Sequence, residues 1–200
     1  MKIDSIVLRH LSMPLVSPFE TSFGRETDRE CILIEIHSDG LIGYGECVAT
    51  RDPGYNYETT GTAMHILKDF IIPLILGEDV KDATDFQERI EGIRGHHLAK
   101  AGVEMALWDL LGKRTGKSLS ELLGGEREKV EVGVSIGIQD SSQTLVRSVV
   151  DYVKQGYARV KIKIKPGRDV ADASAVRKEF PNLRLQVYAN SAYSLNDSKT

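Results

Sequence analysis

The chain has 200 residues, of which 41% are hydrophobic and 28% are charged, and its formal net charge is -3 at pH 7. This composition is typical of a folded globular protein and excludes a largely disordered chain. The charge is close to zero and Lys and Arg are scattered among acidic residues, which argues against a nucleic-acid partner, and no apolar run reaches the roughly 20 residues of a membrane-spanning helix.

The opening segment and the cysteines indicate a cytoplasmic protein. MKIDSIVLRH has neither the apolar centre nor the cleavage site of a signal peptide. Cys31 and Cys47 both fall inside predicted strands, where a buried thiol is more common than a disulfide or a metal ligand. We therefore expect two free, buried thiols and no membrane partner.

The first third of the sequence predicts an antiparallel meander of three strands. Residues 3–11 and 31–37 alternate apolar and polar side chains, the period of a strand with one covered face. Residues 17–30 between them are predicted to form a loop. The dipeptide Asp39-Gly40 favours a tight hairpin turn, after which residues 41–49 form the returning strand.

Helical spacing follows. Apolar residues recur at three and four positions from Thr59, again around Phe86, and over His97–Lys113. Three strands followed by helices predict an α+β domain over residues 1–125.

Two weaker motifs lie within this domain. His96-His97 could suggest a metal pair, but adjacent helical residues diverge by about 100°, which favours the start of a helix. Gly43 and Gly45 mimic part of a dinucleotide-binding motif whose third glycine and following helix are absent.

Residues 126–200 predict the start of a (β/α) barrel or of a doubly wound sheet. Strand-like VEVGVSIG, ARVKIKIK and LRLQVYAN alternate with two helical segments, and such alternation indicates parallel strands with right-handed crossovers. A TIM barrel needs eight strand-helix units in about 250 residues. This part holds roughly two and a half, so we expect it to be truncated after about the third strand.

The segment VKIKIK places three lysines, Lys161, Lys163 and Lys165, on one face of a strand. A solvated edge strand would explain them, but parallel strands are normally covered on both faces, so the lysines would point into the barrel. Neighbouring lysines lower each other's pKa, which helps one of them act as a neutral base. Proton abstraction next to a carboxylate also requires a divalent metal, which carboxylates at neighbouring strand ends would hold.

Four segments carry a family resemblance. KAGVEMALWDLLGKRTGKSLSELLGG resembles the third helix of the enolase-superfamily capping domain, and GVSIGI, VKIKIKPGRDV and LQVYANSAY resemble the first three barrel strands. Over nearly the whole chain the sequence is similar to enzymes of the o-succinylbenzoate synthase / N-acylamino acid racemase type. The resemblance implies magnesium-dependent proton abstraction from a small carboxylate substrate, with Lys163 as the base and Lys161 as its electrostatic partner.

One position departs from this pattern. The family has an aspartate in LQVDAN as its first magnesium ligand, where this chain has Tyr188, and a phenol is a poor ligand for a hard cation. The family's other two ligands and its second lysine would lie beyond Thr200. We therefore expect that this chain has no metal site, binds no magnesium tightly and has no detectable turnover.

The resemblance also implies substrate contacts. Phe19, Thr21 and Phe23 in the first loop and Tyr55 in the second match the mobile loops that close over substrate in the family. Ser135 and Ile136 resemble pocket-wall residues. Ordinary barrel packing would explain these two residues equally, and local packing would explain the aromatic loop residues.

Two alternatives remain open at the level of function. The chain could be a non-catalytic truncated or engineered fragment that folds and associates, for example as a homo-oligomer, through the exposed edge of its partial sheet. It could instead serve another superfamily activity, such as muconate cycloisomerase or dipeptide epimerase.

Overall fold

A computed structural model describes residues 1–22 and 24–196, and the chain forms two compact units. The first unit comprises residues 1–14 and 28–126, and the second combines residues 15–27 with the chain from residue 127 onward. Among the described residues, no helix is long and apolar enough to cross a membrane.

The predicted meander is present, and the parts of its strands within residues 1–14 and 28–47 belong to the first unit. Strands β1 (Ser5–Thr21), β2 (Gly24–Ser38) and β3 (Leu41–Cys47) lie in the order β1-β2-β3. Strands β2 and β3 are antiparallel and are joined by a turn at Asp39 and Gly40, both with positive φ. Two positive φ values are the signature of the tight hairpin turn that Asp-Gly favours. The meander and its turn are confirmed.

The loop predicted over residues 17–30 is wrong, because β1 continues to Thr21 and β2 begins at Gly24. Strand β1 contains Pro14 and Pro18. Since β1 is an edge strand and the two prolines are four residues apart, both can direct their missing N–H away from β2 without loss of a ladder hydrogen bond.

Four helices complete the first unit, and the three predicted ones are among them. They are α1 (Thr60–Ile66), α2 (Ala83–Arg89), α3 (His97–Thr115) and the short α4 (Leu119–Leu122). Helix α1 continues through a π turn and a 3-10 turn to Leu74. At the start of α3 the Glu58 carboxylate accepts hydrogen bonds from two free amide groups, at 2.8 and 3.1 Å, as an N-terminal cap does.

Glycines let α3 lie directly on β3. A Cβ atom at Gly43 would lie 2.1 Å from the Ala106 carbonyl oxygen, and one at Gly45 would lie 2.0 Å from that of Gly102. These glycines therefore serve helix packing, which explains the partial dinucleotide motif. Cys31 and Cys47 are free and buried, as predicted, and burial raises the pKa of the Cys47 thiol to about 11.

The second unit contains the expected parallel strands. Strands β4 (Val134–Ile136), β5 (Arg159–Lys163) and β6 (Arg184–Tyr188) lie in the order β4-β5-β6, connected by α5 (Ser142–Lys154) and α6 (Asp169–Glu179). The fold class, an α+β capping domain followed by parallel β/α units, is confirmed. The core of this unit lies between the sheet and the two helices, and both contribute buried apolar residues to it: Ile136, Val160 and Ile162 from the strands, and Leu145, Val149 and Val176 from the helices.

Candidate active site at the strand ends

Strand β5 presents its lysines on the face opposite the helices. Val160 and Ile162 are fully buried in the core between the sheet, α5 and α6. Because side chains alternate along a strand, Lys161 and Lys163 lie on the other face. Lys163 is only 8% exposed, and Lys161 is half-buried. The alternation predicted for this strand is therefore observed.

The Lys163 ammonium is held by the turn that follows β6. Its Nζ donates a hydrogen bond to Asn190 Oδ1 at 2.5 Å, and Asn190 is itself buried. Asn190 and Ser191 both have positive φ, at 51° and 60°, a conformation that asparagine tolerates better than most residues. The Ser22 hydroxyl donates to the Ala189 carbonyl at 2.8 Å, which ties the turn to the segment 15–27 of the same unit.

The ring of Tyr188 contacts both lysines. Lys161 Nζ lies 4.7 Å and Lys163 Nζ 4.3 Å from the ring centroid, within the range of a cation–π interaction. The parallel register sets this geometry, because Lys163 is the partner of Tyr188 on the neighbouring strand. The ring of Phe19 lies 6.0 Å from Lys163 Nζ, at the outer limit of such a contact.

Burial and the neighbouring Lys161 lower the pKa of Lys163. Desolvation, followed by repulsion from Lys161, lowers the pKa of Lys163 from the usual value of a lysine. Within residues 1–22 and 24–196, neither Lys161 nor Lys163 forms an ion pair with an Asp or Glu side chain. Asn190 and aromatic rings, which carry no formal charge, are the partners of the buried ammonium.

The third lysine of this segment forms an ion pair. Lys165 Nζ lies 3.0 Å from Glu20 Oε1, and both side chains are partly buried. This contact joins residues 145 positions apart, so no local pattern indicates it. The pair lines an open cavity of about 670 Å³ within the second unit, together with Thr21, Ser22 and Arg25 among others.

The residues predicted to contact substrate lie in both units of the chain. Phe19 and Thr21 lie in the second unit, Phe19 near Lys163 and Thr21 at the cavity. Tyr55 is exposed in the first unit. Phe23 lies outside the described residues. Their roles in binding stay predictions.

The two residues of β4 point in opposite directions. Ser135 is the register partner of Lys161 and therefore lies on the lysine face. Ile136 is buried in the core against the helices. The role of both residues in a pocket wall stays a prediction.

The groups on this face do not fit a magnesium ion. Magnesium prefers carboxylate and other hard oxygen ligands, whereas the face offers two ammonium groups, a phenol and an amide whose oxygen is already bound to Lys163. Over the described ranges, no group of three or more His, Cys, Asp or Glu residues could hold a metal ion.

Comparison with known proteins places this arrangement in context. Residues 3–124 match the model of the mandelate racemase / muconate lactonizing enzyme N-terminal domain. The chain is 46% identical to o-succinylbenzoate synthase of Geobacillus kaustophilus and 44% identical to N-succinylamino acid racemase of Thermus thermophilus, over 98% of its own length. It spans 53% of each of these relatives, or about half their length.

Solved structures are also similar to this chain. An enolase-superfamily member from Listeria innocua matches with a TM-score of 0.90 at 40% identity, over 98% of this chain and 53% of that one. A dipeptide epimerase from Enterococcus faecalis, solved with Mg and the dipeptide L-Leu-L-Tyr, matches with a TM-score of 0.86 at 26% identity, over 99% of this chain and 56% of that one.

Proposed function

We propose, since this chain belongs to the mandelate racemase / muconate lactonizing enzyme family of the enolase superfamily, that its strand ends carry the proton-abstracting half of an active site. In this proposal Lys163 is the base and Lys161 its electrostatic partner, on a capping domain over residues 1–125 and a barrel that begins at residue 126. The observation that carries the proposal is the buried Lys163 ammonium, without a carboxylate partner in the described chain and beside a second lysine.

The chemistry follows from the state of Lys163. Its neutral amine would accept a proton from the carbon next to a substrate carboxylate, so that a C–H bond breaks, an N–H bond forms and the electron pair moves into the carboxylate. Lys161 favours the neutral amine by repulsion. Its positive charge also attracts the substrate carboxylate.

The substrate class is supported by the relatives. The two named above act in o-succinylbenzoate synthesis and N-succinylamino acid racemisation, at 46% and 44% identity. We propose the same class, a small carboxylate that is dehydrated or racemised. Muconate lactonizing enzyme and dipeptide epimerase have a similar fold, at 27% and 26% identity, and are the alternatives.

The proposal includes an inactive state for the 200-residue chain. The strand-end groups do not fit magnesium, and an enediolate without a stabilising charge lacks the electrostatic contribution that usually dominates such barriers. We therefore propose that this chain binds magnesium weakly and has no detectable turnover alone.

The base is tested by following the Cε resonances of the lysines by NMR as a function of pH. We expect Lys163 to titrate at the lowest pH of all lysines, and Lys161→Met to raise its pKa, because the repelling charge is gone. Lys154→Met, which removes an exposed lysine at the end of α5, is the matched control and should leave the titration of Lys163 unchanged. A Lys163 that titrates with the exposed lysines would contradict the role of base.

A second candidate function is self-association. Val187 lies in register with Ile162 on the helix-facing side of edge strand β6, yet it is 46% exposed. Such an apolar edge favours pairing with a second copy. Light scattering after size exclusion would show dimers that Val187→Lys dissociates, and a monomeric wild type at high concentration would contradict this candidate.

A further inference from the structure

Because residue 188 is a tyrosine, the strand ends attract an anion and not a cation. The sequence resemblance implies a carboxylate at this position, and a carboxylate would pair with the lysines and attract a cation. Here the position holds a neutral ring whose electron-rich face contacts two ammonium groups. A cation–π contact stabilises an ammonium group without neutralising it, so the face keeps its positive charge.

The positive charge is not balanced elsewhere in the part of the chain that the structure describes. Lys165 is paired with Glu20, at 3.0 Å, but Lys161 and Lys163 lie beside each other with no acidic partner there. Lys163 donates to the Asn190 amide oxygen, which leaves Lys161 half-buried with the Tyr188 ring as its contact. Partly buried cations of one sign attract an anion.

We infer that these strand ends bind a small organic carboxylate directly and without a divalent cation, with Lys161 and the hydroxyl of Tyr188 as its partners. Tyr188 is 40% exposed, so its O–H is available as a donor. Ser135, the register partner of Lys161, lies on the same face. Lys161 and Tyr188 bind the carboxylate in this arrangement. Lys163, which Asn190 orients, stays free to act on the carbon next to that carboxylate.

This inference rests on the proposed function for the class of ligand, since two lysines alone would accept other oxyanions as well. Unlike that proposal, it does not require Lys163 to take up a proton from the substrate. Binding is an equilibrium property that needs no proton transfer, so it can hold even where Lys163 is not a base.

The test is calorimetry with N-acetylglycine as the probe, on the full chain in EDTA and again with excess magnesium. We expect saturable binding with the same Kd in both buffers. Lys161→Met should weaken it about tenfold or more, as expected for a hydrogen bond to a charged group. Lys154→Met, which removes the same charge from the surface of the same unit, should leave the Kd unchanged.

Two variants of Tyr188 separate its ring from its hydroxyl. Tyr188→Phe keeps the cation–π contacts and should weaken binding about tenfold or more, because the lost hydroxyl donates to a charged carboxylate. Tyr188→Asp places a negative charge between the lysines and should abolish detectable binding. The ¹H–¹⁵N spectra of all variants should match the wild type, which establishes that each one folds.

Three outcomes with N-acetylglycine would overturn the inference. They are binding that requires magnesium, an equal loss in Lys161→Met and Lys154→Met, or full affinity in Tyr188→Asp. Inorganic phosphate as a second probe decides the ligand class, and tighter binding of phosphate than of N-acetylglycine would reject a carboxylate site. A wild type that binds N-acetylglycine while Lys163 titrates like an exposed lysine would refute the base and leave this inference intact.

Discussion

Asn190→Gly should remove the hydrogen bond that Lys163 donates to Asn190, with little disturbance of the turn that contains residue 190. Asn190 has a φ of 51°, which glycine adopts without strain. The substitution therefore removes the amide oxygen 2.5 Å from Lys163 Nζ and keeps the backbone. Ser191→Gly is the matched control, because Ser191 has a similar φ of 60° in the same turn and no hydrogen bond from its side chain to Lys163.

The magnitude follows from the charge of the donor. A hydrogen bond to a charged group contributes about 1.5–3 kcal/mol, and its loss leaves a buried ammonium without an acceptor. Both variants carry the extra chain entropy of glycine, roughly 0.5–1 kcal/mol, which cancels in the comparison. Asn190→Gly should thus be less stable than Ser191→Gly by about 1.5–3 kcal/mol.

Amide hydrogen exchange at Ile164 measures this effect locally. The N–H of Ile164 donates to the Tyr188 carbonyl at 3.0 Å, directly after β5. At pH 7 its protection should fall roughly 10- to 150-fold more in Asn190→Gly than in Ser191→Gly, at tenfold per 1.4 kcal/mol. Equal protection in the two variants would refute the argument that Asn190 holds a charged Lys163.

Four further predictions concern stability and reactivity. Gly45→Ala should lower the free energy of unfolding in urea by about 1–3 kcal/mol or more, because its methyl group would lie 2.0 Å from a carbonyl oxygen of α3. Gly61→Ala in α1, where the nearest atom is 3.7 Å away, should not destabilise. Glu58→Ala removes the cap of α3 and should cost about 0.5–2 kcal/mol in the same assay. The Cys47 thiol, with its pKa of about 11, should react with a thiol reagent at pH 8 only in denaturant. Because the pKa of Lys163 is lowered on folding, the folded state binds fewer protons than the unfolded state above that pKa, and stability rises with pH there. Lys163→Met should therefore stabilise most below the folded pKa, with a gain that shrinks as pH rises.

Local patterns predicted the elements that have one covered face. The alternation over residues 159–163 fixed both the parallel strand and the lysine face, because in a strand the side-chain direction follows from position alone. The Asp39-Gly40 turn is equally local, since two residues determine its geometry. Helix α3 was predicted to within two residues of its end.

Contacts between distant segments could not be predicted in this way. The Lys165–Glu20 pair and the bond from Ser22 to Ala189 join residues 145 and 167 positions apart. The length of β1 depends on its pairing with β2, a separate segment of the chain. The contact of Asn190 with Lys163 was not predicted, although the spacing of Tyr188 and Asn190, which places both side chains at one strand end, could have indicated it.

We propose that the strand ends hold a base and a carboxylate-binding face but no magnesium site. The most direct measurement is incorporation of solvent deuterium at the α-carbon of an N-succinylamino acid, followed by NMR as magnesium is added to the 200-residue chain. We predict no incorporation above the buffer rate at any magnesium concentration, for the wild type and for Tyr188→Asp. Magnesium-dependent incorporation by the wild type that Lys163→Met abolishes would contradict the claim.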